Sequence, residues 1–134
     1  MSLETRIEQV EGRVPISVLR LDGELDASNF ESVVDTVRAA YDAGARALLI
    51  DLSGLTFMAS SGLVALHSIV RIMQGDAPLD PELGWSALHA EIGDRQAAVQ
   101  LSGPQPAVER VLSRTGLDRL FHVHPDRDAA IAAF

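Results

Sequence analysis

The sequence predicts an α/β fold on a single-domain open mixed, mainly parallel sheet with about four helices. Two observations carry this reading. Residues 45–52 form a nearly continuous apolar run of strand length, as expected for a strand covered on both faces. Along the rest of the chain, amphipathic segments at helical spacing alternate with shorter apolar runs. Such alternation implies right-handed crossovers and places the loops leaving the carboxyl ends of the strands along one edge, where binding sites of open sheets lie. With 134 residues and 47% apolar content, one core is expected, and residues 1–134 are read as a single domain.

Each element has its own signal. Residues 14–21 read as a strand, and residues 7–10 pair with it through a turn at Glu11-Gly12-Arg13, with Pro15 placing that pairing near an edge. Phe30, Val33, Val34, Val37, Ala40 and Tyr41 trace an amphipathic helix from Ser28, with Ser28 and Glu31 as a capping box and Gly44 as the stop. A second helix is expected over residues 61–74. At about 100° per residue, Leu63, Ala65, Leu66, Ile69, Val70, Ile72 and Met73 turn to the core. Ser60, Val64, His67, Ser68, Arg71 and Gln74 fall on the other side, a mixed stripe suited to docking. Residues 75–94 hold the only tryptophan and are expected to be an insertion, with Trp85, Leu88 and Ile92 spaced for a short helical turn. A strand over 97–102, a helix over 106–115 with Pro106 in its first turn and Gly116 past its end, a short strand over 120–123 and a closing helix over 126–134 complete the chain.

Composition removes whole classes of function. A formal net charge of −8 argues against binding to nucleic acid or to anionic membranes, both of which need clustered basic residues. Without cysteine there is no disulfide, thiolate metal site or thiol nucleophile. All 11 basic residues are arginine, so a Walker A loop, Schiff-base chemistry and a receiver-type phosphorylation site at Asp51 are ruled out. No signal peptide or membrane-spanning run is present, and a cytoplasmic location without direct membrane insertion is expected.

The chemistry that remains centres on Ser60 and Ser61, at the junction between the apolar strand and the second helix. A hydrolase is disfavoured. No Gly-x-Ser-x-Gly elbow surrounds either serine, and His67 lies about 10.5 Å from Ser60 along a helix axis, beyond the roughly 3 Å reach of a general base. His122 and His124 alternate on one strand face but lack a third ligand at a diagnostic spacing, so no metal and no cofactor is expected. Glu24 and Asp26 read either as acid/base or magnesium-binding carboxylates or, more simply, as charges complementing a helix dipole. The simple reading of the two serines is likewise helix capping. The loops holding Asp26 and Ser60 leave neighbouring strands at one edge and are expected to form one surface.

Three segments bear a family resemblance. Asp51-Leu52-Ser53-Gly54-Leu55-Thr56-Phe57-Met58-Ala59-Ser60-Ser61-Gly62-Leu63 resembles the phosphorylation segment of STAS domains, above all bacterial anti-sigma factor antagonists. Gly23-Glu24-Leu25-Asp26 resembles the loop after that family's long strand, and Leu112-Ser113-Arg114-Thr115-Gly116-Leu117 with Phe121 and Val123 resembles its closing helix and strand. The resemblance covers nearly all of the chain outside the insertion.

It implies a phosphorylation-controlled switch and no enzyme. Such a domain binds an anti-sigma factor that is also a serine kinase, is switched off by serine phosphorylation, and is restored by a phosphatase. By position the phosphoacceptor is Ser60, with Ser61 second. The implied partner surface takes in Glu24, Asp26, Ser28, Thr56, Met58, Ala59, Ser60, Ser61, Gly62, Val64, His67 and Arg71. Where the family carries an aspartate before the acceptor, this chain has Ala59, which removes a charge beside the site. The competing implication is a non-phosphorylated STAS adaptor of a lipid or anion transport system, or of a stress-signalling assembly. No oligomeric state is implied.

Overall fold

A computed structural model describes residues 2–75, 98–119 and 121–134. The expected insertion with its turn at Trp85, Leu88 and Ile92 lies outside the described residues, as does Leu120. The elements in chain order are β1 (Leu3–Glu11), β2 (Pro15–Leu25), α1 (Phe30–Asp42), β3 (Leu48–Met58), α2 (Ser60–Met73), β4 (Val99–Ser102), α3 (Pro106–Thr115), a 3-10 turn (Leu117–Arg119), β5 (His122–His124) and α4 (Arg127–Ala132). The sheet order is β1-β2-β3-β4-β5, with β1 antiparallel to β2 and every other pair parallel. Among the described residues the predicted mixed, mainly parallel α/β sheet is therefore present, with four helices.

The larger core joins one sheet face to α1, α2 and α3. Leu19, Leu21, Leu48, Ile50, Leu52, Val99 and Leu101 of the strands meet Val33, Val37, Leu66, Ile69, Val108 and Leu112 of the helices. The opposite face has a smaller core in which Ile16, Val18, Ala47 and Leu49 meet Ala130 and Ile131 of α4. This explains the unbroken apolar run of β3: alternate residues serve opposite cores. Further along that second face the strands turn polar. Asp51, buried, receives Arg127 Nη2 at 2.9 Å, Arg20 Nη1 at 3.7 Å and the Ser53 backbone N–H at 3.0 Å. Burial pushes the Asp51 carboxyl up, yet the Ser53 hydrogen bonds and the Arg127 guanidinium outweigh it and hold it below the usual range. Asp51 is thus a pinned structural carboxylate.

Several boundaries differ from those expected. β2 and β3 run on to Leu25 and Met58, so Gly23, Glu24 and residues 53–58, expected in loops, are in strands. Register shifts between Arg20 and Asp22 and between Gly23 and Glu24 let β3 carry extra residues against β2, and these irregularities hide the strand pattern. A Cβ on Gly54 would overlap the Asp22 carboxylate and lie 3.1 Å from the Leu21 carbonyl oxygen, so any side chain here would displace Asp22. The capping box at Ser28 and Glu31 does not form: α1 begins after Asn29, and the Ser28 hydroxyl is donated to Asp26 Oδ1. The last strand sits at His122–His124 because Phe121 is buried in the core and the ladder with β4 starts at Gln100 and His122.

Candidate functional site at the carboxyl edge

β2 and β3 finish side by side. Leu25 pairs with Met58, and the Ala59 N–H donates to the Leu25 carbonyl at 2.9 Å. Asp26 and Ser60, the next residues on each chain segment, are therefore brought to one edge, as the sequence led us to expect. Glu24 pairs with Phe57, and the Thr56 hydroxyl donates to the Gly23 carbonyl at 3.0 Å, tying the two strand ends together.

The Asp26 side is densely hydrogen-bonded. Asp26 Oδ1 accepts the Ser28 backbone N–H at 2.9 Å as well as its hydroxyl, and these bonds hold the Asp26 carboxyl below its usual range. Asn29 accepts the Asp26 N–H on Oδ1 at 3.0 Å and donates from Nδ2 to the Glu24 carbonyl at 2.9 Å. Asn29 escaped the sequence reading, although Asx residues in such turns are a known signal.

The Ser60 side is bare by contrast. The N-cap of α2 is Ala59, with φ −80° and ψ 173°, and no side chain caps the helix. Neither serine occupies the N-cap, because Ser60 is the first and Ser61 the second residue of the helix. Ser60 is exposed. Ser61 Oγ is shielded from solvent and has no hydrogen-bond partner among the described residues, and the same holds for Glu24 Oε2. No acidic residue lies in the first turn of α2, so its positive end is uncompensated from within the helix.

The remaining predicted site residues divide by burial. Ser28 and Thr56 are exposed, whereas Glu24, Asp26, Val64 and Arg71 are half-buried. Met58 and Gly62 are buried against each other: a Cβ on Gly62 would overlap Met58 Cγ and come within 3.1 Å of Leu25 Cδ2. The exposed stripe expected along α2 is narrower than predicted, because His67 and Ser68 are buried, at 8% and 2% exposure. Angular position around one helix does not register the neighbours beside it, here including α1. Phe57, which the sequence reading did not single out, is 43% exposed beside Thr56 and Met58. An aromatic left in solvent between two site residues is what a docking surface uses as an anchor.

His122 and His124 stack with ring centroids 6.4 Å apart, and His124 Nε2 lies 2.8 Å from Gln100 Oε1. Burial, then the neighbouring His122, push His124 below its usual value. Among the described residues no group of three metal-ligating side chains converges, and no helix is long and apolar enough to cross a membrane.

What the edge presents is an exposed hydroxyl at an uncapped helix start, flanked by a solvent-facing aromatic and a fixed carboxylate. The molecule is an α/β domain in which this edge lies at the carboxyl ends of the central strands β2 and β3. The STAS domain family model matches residues 8–75, and the chain belongs to that family. The fold is similar to an anti-sigma factor antagonist from Mycobacterium paratuberculosis, at 26% identity and TM-score 0.70, covering 98% of this chain and 93% of that one. It also resembles the Bacillus cell fate determinant SpoIIAA in its phosphorylated form, at 22% identity and TM-score 0.56, covering 94% and 96%. The STAS domain of a Vibrio cholerae SulP transporter shares the fold at 18% identity and TM-score 0.54, covering 88% and 77%. No curated protein sequence matches the chain.

Proposed function

We propose that this protein is an anti-sigma factor antagonist, a binding switch rather than an enzyme, that engages a kinase-type anti-sigma factor in the cytoplasm and is turned off by phosphorylation of Ser60. The observation that carries the reading is the contrast between the two serines: Ser60 is exposed at the first residue of α2, while the Ser61 hydroxyl is shielded. SpoIIAA, an anti-sigma factor antagonist, has both an unphosphorylated and a phosphorylated form, and the Mycobacterium paratuberculosis antagonist is similar over nearly the whole chain.

The physical logic is a change of charge at a tolerant place. A phosphate adds about −1.5 to −2 charges at neutral pH. At the bare helix start of α2 that charge meets the positive dipole end, so the fold survives. A partner docked over Phe57, Thr56 and Asp26 would instead have to bury a dianion, a penalty of about 2–5 kcal/mol and hence orders of magnitude in affinity. A phosphatase resets the surface. Glu24, Ser28, Val64 and Arg71 extend the contact area, and Met58, Ala59, Ser61 and Gly62 shape it from beneath.

Incubation with the host's serine kinase and ATP is expected to place one phosphate on Ser60, and Ser60→Asp to weaken binding of the captured anti-sigma factor about 100-fold or more while the thermal midpoint barely moves. Phosphate mapped elsewhere, or a large loss of stability in Ser60→Asp, would overturn the assignment. Ala59, which leaves the position before the acceptor uncharged, favours a second reading: a non-phosphorylated STAS adaptor for a transporter or a stress-signalling assembly. Capture of a transport component in place of a kinase would select it.

A further inference from the structure

Among the described residues the outer side of β1 has no neighbour: β1 is an edge strand of nine residues, whereas the opposite edge strand, β5, has three. A long free edge is a template for strand addition, and charges on it commonly serve to prevent that. The charges on β1 are arranged otherwise.

Which backbone groups are free follows from the ladder. The Glu24 N–H donates to the Ser2 carbonyl at 3.1 Å, and the antiparallel register continues as Glu4↔Asp22, Arg6↔Arg20 and Glu8↔Val18. Because hydrogen-bonded pairs alternate in an antiparallel ladder, the even-numbered residues of β1 point their N–H and C=O groups at β2. Leu3, Thr5, Ile7, Gln9 and Glu11 therefore point theirs outward. Ile7 is the midpoint of the strand and is 42% exposed. It lies at the rim of a shallow apolar groove lined by Val14, Pro15, Ala40 and Ala43.

We propose that β1 pairs antiparallel with β1 of a second copy of this chain, about a two-fold axis through Ile7, joining the two sheets into one. This register overlaps the whole strand and sets Ile7 opposite its mate, Thr5 opposite Gln9 and Leu3 opposite Glu11, all with outward-pointing backbone groups. Between them Arg6 falls opposite Glu8 in both directions, as non-hydrogen-bonded pairs, the arrangement in which side chains approach most closely. Moving the axis to Arg6 would oppose Arg6 to itself and Glu4 to Glu8. The full-length register is thus the charge-complementary one, and it covers the exposed isoleucine. The Arg6–Glu8 contact is compatible with the existing bond from Arg127 to Glu8, since a carboxylate has two oxygens to offer.

Sedimentation equilibrium on the full chain tests this. A concentration-dependent dimer is expected. Arg6→Glu and Glu8→Arg each create two like-charge pairs and should each lower the association constant by at least about tenfold. Mixed one to one they become complementary, so a heterodimer should return. Hydrogen exchange on the unaltered chain is the second readout: the amides of Thr5, Ile7 and Gln9 should gain protection as concentration rises, while those of Arg6 and Glu8 are protected throughout. A monomer at millimolar concentration, a dimer indifferent to both reversals, or a dimer without new protection at Thr5, Ile7 and Gln9 would overturn the proposal. None of these readouts depends on Ser60 or on a sigma-factor partner.

Discussion

Two helices start at the same edge of the sheet, and they start in opposite ways. The approach to α1 is closed by side chains: Asp26 receives Ser28, and Asn29 links Asp26 to Glu24. The approach to α2 has an alanine where a capping side chain would sit, an exposed serine after it, and a shielded hydroxyl after that without a partner among the described residues. One start is a finished piece of structure. The other leaves its positive end without a capping side chain, as the proposed phosphorylation of Ser60 requires. Neither helix has a side-chain cap; the difference lies in the turn before each, which side chains lock ahead of α1 and leave bare ahead of α2.

The contrast can be broken from either side. The largest effect is expected from Gly62→Val, which drives a branched side chain into Met58 and Leu25 and should destabilise the protein by about 1–3 kcal/mol in denaturant titration. Asn29→Ala removes two hydrogen bonds in the turn before α1 and should cost about 1–2 kcal/mol, with the loss of protection concentrated at the Asp26 amide. Ala59→Asp should act with the opposite sign. The extended backbone at this position suits an N-cap, so a carboxylate there should stabilise by about 0.5–2 kcal/mol and lessen the effect of charge at Ser60. The smallest effect is the pH response of Asp26. Its carboxyl is held below 3.8 by Ser28, so its contribution is present above that value and fades as pH falls through the lowered one. Carboxyl chemical shifts should show this low titration, and Ser28→Ala should move it upward.

Signals survived the step to structure where no more distant group competed with them. α3 spans Pro106–Thr115 as expected, because Pro106 in the first turn and Gly116 at φ 80° are local devices. The α1 start shifted because Ser28 gives its hydroxyl to Asp26 and because the Glu24 carbonyl, five residues back, recruits Asn29. Strands β2 and β3 outran their alternating pattern because their ends are held by each other. Of the site, the meeting of Asp26 and Ser60 was legible from topology alone. The exposure of Phe57 and the burial of His67 were not, since both depend on what lies beside a residue.

The spatial order of the strands, β1-β2-β3-β4-β5, is also their order in the sequence. Every new strand can therefore join the growing margin of the sheet as the chain is synthesised, and none must be wedged between two already in place. The first two meet through a short turn, a contact of low sequence separation that forms fast. β4 joins after three strands are already laid down. A domain assembled this way completes each strand pairing before the next strand is needed, and the sheet keeps its order throughout.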